Sequence, residues 1–118
     1  MKENAIQVRE IGGITVISPQ LDFTMSVEKI MEDIYHDLCE KGCTSILFEF
    51  LPNTHITSGG MAILFSLIRE SQKKNQEIGI TGLSKHFEKT FQMVGITRYT
   101  KIYQSTEEAL QEMSRAPL

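Results

Sequence analysis

Clustered positive charge is what this chain most plainly lacks. Its 118 residues carry 12 Lys and Arg against 15 Asp and Glu, a formal net charge of −3. Nucleic-acid binding needs a patch of Lys and Arg to neutralise phosphates, so that class of partner is excluded. The chain also lacks an apolar run of about 18 residues, the length a membrane-spanning helix requires. The opening MKENAIQVRE mixes acid and base and has no apolar core of a secretory leader, so a cytoplasmic protein is expected. Repeats, linkers and low-complexity stretches are missing too. Residues 1–118 are therefore expected to form one domain, large enough to bury roughly two thirds of the surface its unfolded form exposes. Hydrophobic residues make up 41% and charged residues 23%, both ordinary for a soluble globular protein.

Cysteine is scarce as well. Cys39 and Cys43 stand near the end of a predicted helix, and His36 lies one turn before Cys39. A structural zinc site wants four ligands, usually as two paired sets. The other histidines, His55 and His86, supply no second pair, so no metal is expected. The two thiols read as reduced, one of them helping to bury a helix end.

What is present is an alternation of strand and helix signals. Residues Ile6 to Pro19 form a hairpin pattern, with Gly12-Gly13 where a two-residue turn needs positive φ. Pro19 ends the second strand, because it cannot donate to a ladder. Ser26 is placed to cap a helix. Val27, Ile30, Met31, Ile34 and Leu38 form its apolar stripe, with Glu28, Lys29, Glu32, Asp33, Asp37 and Glu40 on the wet side. Gly42 suits the left-handed position beyond its end.

The stretch from Ile46 to Ile68 is the centre of the chain. Ser45 to Phe50, SILFEF, reads as a central strand with one acid, Glu49, expected at its C-terminal end near the following loop. Leu51 to His55 is that loop. Ser58 then opens a helix running to about Asn75. Met61, Leu64, Leu67 and Ile68 can face the sheet, which leaves Ala62, Ile63 and Phe65 without obvious cover. A helix apolar on more than one side is either deeply buried or offers a contact patch. Met61, Ala62 and Phe65 are therefore expected to touch a partner.

Beyond it, Glu77 to Thr81 is a strand weakened by Gly79. Ser84 caps a helix that buries Phe87, Phe91 and Val94 and ends at Gly95. Lys101 to Tyr103 is a short edge strand. Ser105 and Glu108 make a capping box for a last helix buried through Ala109, Leu110 and Met113. The expected class is α/β, a mixed sheet of four to five strands covered by about four helices.

In that order of elements the chain resembles the STAS domains, the family of bacterial anti-sigma factor antagonists. Pro19-Gln20-Leu21-Asp22 keeps the Leu and Asp of the family's Gly-x-Leu-Asp turn. Glu49 stands for its acidic strand end, and Ile56-Thr57-Ser58-Gly59-Gly60-Met61 occupies the place of its Asp-Ser-Ser-Gly helix start. Phe91-Gln92-Met93-Val94-Gly95-Ile96 and Ser105-Thr106-Glu107-Glu108-Ala109-Leu110 match its later helices. The resemblance implies that Ser58 is a reversible phosphate acceptor. It implies that Asp22, Thr57, Gly59, Gly60, Met61, Ala62 and Phe65 bind a partner. That partner would be an anti-sigma factor with a histidine-kinase-like ATPase fold, with a serine phosphatase to reset the switch. Thr57 replaces the family's Asp, and Gly59 its second Ser.

Other readings compete. A STAS subunit that never carries phosphate could act as a scaffold in a signalling or transport assembly. Ser58 as a plain helix cap would contribute about 1 kcal/mol. An esterase elbow needs Gly-x-Ser-x-Gly, and Ile56 stands where its first glycine belongs, so an enzyme is not expected. A Gly-Gly pair without a lysine is a poor phosphate loop, and no cofactor is expected.

Overall fold

A computed structural model describes residues 6–20 and 22–113. Strands β1 (Ile6–Ile11) and β2 (Ile14–Pro19) form an antiparallel hairpin. Gly12 and Gly13 have φ of 58° and 86°, the positive values that the two-residue turn demands. Strands β3 (Ser45–Glu49), β4 (Glu77–Thr81) and β5 (Lys101–Tyr103) then add in parallel, so the sheet order follows the chain. Helices α1 (Glu28–Glu40), α2 (Ser58–Lys73), α3 (Lys85–Met93) and α4 (Thr106–Met113) connect or follow them. Leu21 of the Pro19-Gln20-Leu21-Asp22 turn lies outside the described residues.

Side chains alternate across the sheet and define two cores. Ile17, Ile46, Phe48, Ile78 and Ile80 face α1, α2 and α3 and join Met31, Leu38, Leu64, Ile68 and Phe91 in the larger one. Ile14, Val16 and Leu47 face the other way, toward Tyr103 and the Ala109 and Met113 of α4. Gly79 has a packing reason to be glycine. A Cβ there would approach Met113 Sδ and the Tyr103 ring to 2.8 Å, so the bare strand lets α4 lie close.

Several local expectations change. Thr24, not Ser26, is the cap: its hydroxyl accepts from the Ser26 amide at 3.1 Å and opens a short 3₁₀ turn, Met25–Val27, which runs into α1 without a side-chain cap. Tyr35 joins the buried face of α1, its hydroxyl donating to Gln76 Oε1 at 2.6 Å. Burial pushes its phenol up. Val94 does not join the α3 core. It is the residue after the helix and is 56% exposed, while Phe91 is fully buried. α2 stops at Lys73, and Asn75 takes the left-handed φ of 57°. Ser84 caps α3 as expected, accepting from the Phe87 amide at 3.2 Å.

Candidate functional site

The segment after β3 reaches α2 by pairing with the connector that follows β2. Phe23 and Ile56 form an isolated parallel bridge. The Phe23 amide donates to the His55 carbonyl at 2.8 Å, and the Thr57 amide donates to the Phe23 carbonyl at 3.1 Å. Asp22 extends this seam, its carboxylate accepting from the His55 amide at 3.1 Å. Two loops far apart in sequence are thereby stitched together just before the helix begins.

Ser58 is not the cap of α2. Thr57 is: its φ and ψ of −80° and 168° are extended, and its hydroxyl accepts from the Gly60 amide at 3.1 Å. The Met61 amide makes the first intrahelical bond, donating to the Thr57 carbonyl at 2.8 Å. Ser58 becomes the first helical residue, and it is exposed. Among the described residues its hydroxyl makes no hydrogen bond. The first turn of α2 holds no acidic residue, so nothing within it offsets the positive end of the helix dipole.

The expected partner-binding residues do not share one surface. Exposed Ala62 and half-buried Gly59 share the outer surface with Ser58. Met25, 55% exposed, adjoins them, because a Cβ on Gly59 would lie 3.2 Å from Met25 Cβ. This methionine was not singled out by sequence; only the 3₁₀ turn carries it there. Met61 and Phe65 are half-buried against the larger core, and Phe65 meets Phe91 edge-on with centroids 5.5 Å apart. Ile63, expected to lack cover, is buried. Gly60 is buried too. A Cβ on it would be driven into the Phe23 carbonyl, so its role is to let the helix start press against the 22–24 segment. Asp22 is exposed and braces the loop.

Glu49 does not turn toward the Ser58 loop. It lies on the α4 face, accepting from Ser18 Oγ at 2.6 Å, Thr106 Oγ1 at 2.6 Å and Arg9 at 2.7 Å. Burial alone would push its carboxyl up. The bonds from Ser18 and Thr106 and the charge of Arg9 outweigh that and hold it below the usual range. His55 stacks edge-on against Phe87, with centroids 6.0 Å apart. Cys39 and Cys43 are free thiols. Lys74 Nζ lies 3.4 Å from Cys39 Sγ, and Cys43 Sγ is 3.3 Å from Thr15 Oγ1. Among the described residues no three His, Cys, Asp or Glu side chains converge as a metal site would require, and no helix is long and apolar enough to cross a membrane.

A hairpin-led mixed sheet that presents an exposed hydroxyl at a braced loop-to-helix junction defines a small α/β module. The chain belongs to the STAS domain family, whose model matches residues 5–109. It is similar in structure to a candidate anti-sigma factor antagonist from Thermotoga maritima, at 14% identity and TM-score 0.80 over 92% of this chain and 94% of that one. A serine-to-glutamate variant of Moorella thermoacetica RsbS is similar at 12% identity and TM-score 0.78, over 93% and 95% of the two chains. The Bacillus anti-sigma factor antagonist SpoIIAA is similar in its unphosphorylated form, at 19% identity and TM-score 0.72 over 96% and 100%. Its phosphorylated form is similar at 15% identity and TM-score 0.68 over 92% and 99%. No curated protein sequence matches the chain. At such identities the structural likeness speaks of the fold.

Proposed function

We propose that this protein is a non-enzymatic regulator of the anti-sigma factor antagonist type, switched by phosphorylation of Ser58. Its partner is a serine-kinase anti-sigma factor with a histidine-kinase-like ATPase fold, and a serine phosphatase resets it. The observation that carries this reading is the position of Ser58: exposed, first in α2, beside an apolar surface of Met25, Gly59 and Ala62 flanked by Met61 and Phe65. A phosphate adds about −1.5 to −2 charges and three acceptor oxygens. The acid-free first turn of α2 tolerates that charge, so the fold stays intact. A partner packed over Ala62 and Met25 would have to desolvate the phosphate, at a cost of several kcal/mol unless it were paired. The unmodified protein therefore docks and the phosphorylated one does not. The solved phosphorylated form of SpoIIAA, a chain of the same fold, supports the reading by analogy.

The second reading, a STAS scaffold that never carries phosphate, draws on Thr57 in place of the family's Asp. The two separate by intact mass. Incubation with the kinase and Mg-ATP should add one phosphate, mapped to Ser58. Ser58→Asp should lose partner capture at an unchanged melting temperature. Unmodified mass under conditions that phosphorylate a control antagonist would leave the scaffold.

A further inference from the structure

Two adjacent hydroxyls, on Thr57 and Ser58, stand at the start of α2. We propose that Thr57 is the positioning residue that withholds its own hydroxyl and presents that of Ser58 to the modifying enzyme. This inference rests on the phosphorylation reading above.

Every polar group of Thr57 is committed inward. Its amide donates to the Phe23 carbonyl at 3.1 Å, and its carbonyl accepts from the Met61 amide at 2.8 Å. Its hydroxyl oxygen accepts from the Gly60 amide at 3.1 Å and lies 3.5 Å from the Phe23 carbonyl. A hydroxyl attacks phosphorus through an oxygen lone pair. On Thr57 one of the two lone pairs accepts from the Gly60 amide, the proton faces the Phe23 carbonyl and the side chain is half-buried, so its oxygen is held inward and is presented to an enzyme less openly than that of exposed Ser58. Ser58 has neither constraint.

The same bonds fix where the Ser58 oxygen sits. Thr57 pins the backbone just before it. Gly60, pressed against the Phe23 carbonyl, pins the backbone just after it. In the transfer, Ser58 Oγ bonds to the γ-phosphorus of ATP, the bond from that phosphorus to the β-phosphate oxygen breaks, ADP leaves, and the hydroxyl proton passes to a base of the kinase. Such an in-line attack depends on the acceptor lying within about 3–3.5 Å of phosphorus in the right direction. Position 57 contributes a side-chain acceptor for an amide, and a carboxylate there is dispensable. Ser and Asn can supply that acceptor as Thr does; Ala cannot.

The test follows phosphorylation rates by intact mass, with site mapping, using Mg-ATP and a soluble extract of the source cells as kinase. Thr57→Ala should react about tenfold more slowly than wild type. Thr57→Ser and Thr57→Asn should react within about twofold of it, with the phosphate on Ser58 in every case. Ser58→Ala should stay unmodified, with no transfer to Thr57. A readout free of the kinase is amide hydrogen exchange at Gly60, which should speed up in Thr57→Ala and stay slow in Thr57→Asn. Thr57→Ala reacting at the wild-type rate, or phosphate appearing on Thr57, overturns the positioning role alone. An unmodified wild type overturns the phosphorylation reading and this inference with it.

Discussion

Two helices of this protein open with the same pair of residue types and put them to different use. α2 begins Thr57-Ser58, and α4 begins Ser105-Thr106. In each, the first hydroxyl is the cap: Thr57 accepts from the Gly60 amide and Ser105 from the Glu108 amide, both at 3.1 Å. The second hydroxyl makes the difference. Thr106 is half-buried and donates to Glu49 at 2.6 Å, while Ser58 is exposed without a side-chain bond among the described residues. Charge diverges in parallel. The first turn of α4 carries Glu107 and Glu108, and that of α2 carries no acid. Glu108 also accepts from the Gln104 amide at 2.8 Å, one residue earlier than the usual reciprocal bond of a capping box. A helix start can thus be closed by its own carboxylates or left open to an added anion, and burial of the second hydroxyl decides which.

The comparison breaks most completely if the α2 start is pushed off its support. Gly60→Ala drives a methyl group into the Phe23 carbonyl, which is backbone and cannot swing aside. A loss of about 3 kcal/mol or more is expected by chemical denaturation, with the α4 end unaffected in local hydrogen exchange. Full stability in that variant would show that the two loops are not fixed against each other.

At the other start, Glu49→Gln should cost about 1–3 kcal/mol at neutral pH, because three donors lose a charged acceptor. Its folded carboxyl lies below the ordinary value of 4.5. The sign follows from that. The unfolded state holds the proton more tightly, so the stability from Glu49 is full above about 4.5 and is lost as pH falls through the depressed folded value. Acid titration of unfolding free energy should show this loss in wild type and a flatter curve in Glu49→Gln. Parallel curves would remove Glu49 as the acid-sensitive group.

Most of the architecture is legible in the residues. Gly12-Gly13 between alternating runs announces the hairpin, and the Ser84 and Ser105 caps sit where local spacing puts them. The departures come from contacts between distant segments. Arg9, Ser18 and Thr106 reach Glu49 from 40, 31 and 57 residues away, and no local period could assign that carboxylate to the α4 face. Ile63 looked uncovered because helical period says how a face repeats and nothing of which elements lie over it. At Thr57-Ser58-Gly59-Gly60 either hydroxyl can cap; the Phe23–Ile56 bridge selects Thr57 by fixing where extended backbone ends. Met25 reached the site because a 3₁₀ turn, begun by Thr24, precedes α1.

Smaller effects sharpen the comparison hydroxyl by hydroxyl. Thr57→Ala should lose about 1 kcal/mol, seen as a fall of about 3–5 °C in melting temperature, and Thr57→Asn should restore it. Thr106→Val should cost a similar amount, because a charged acceptor loses one of its donors. It should also bring the acid transition of Glu49 nearer the ordinary value.

The least effect on the fold is expected where the greatest effect on docking is proposed. Ser58→Ala removes an exposed hydroxyl with no side-chain bond among the described residues, and alanine is a better helix former than serine. Its melting temperature should stay within about 2 °C of wild type, corresponding to no more than about 0.5 kcal/mol. Thr106→Val, at the matching position of α4, should fall clearly below both. Equal losses in the two variants would mean that Ser58 has a structural partner after all, and the contrast between an open and a closed helix start would fail.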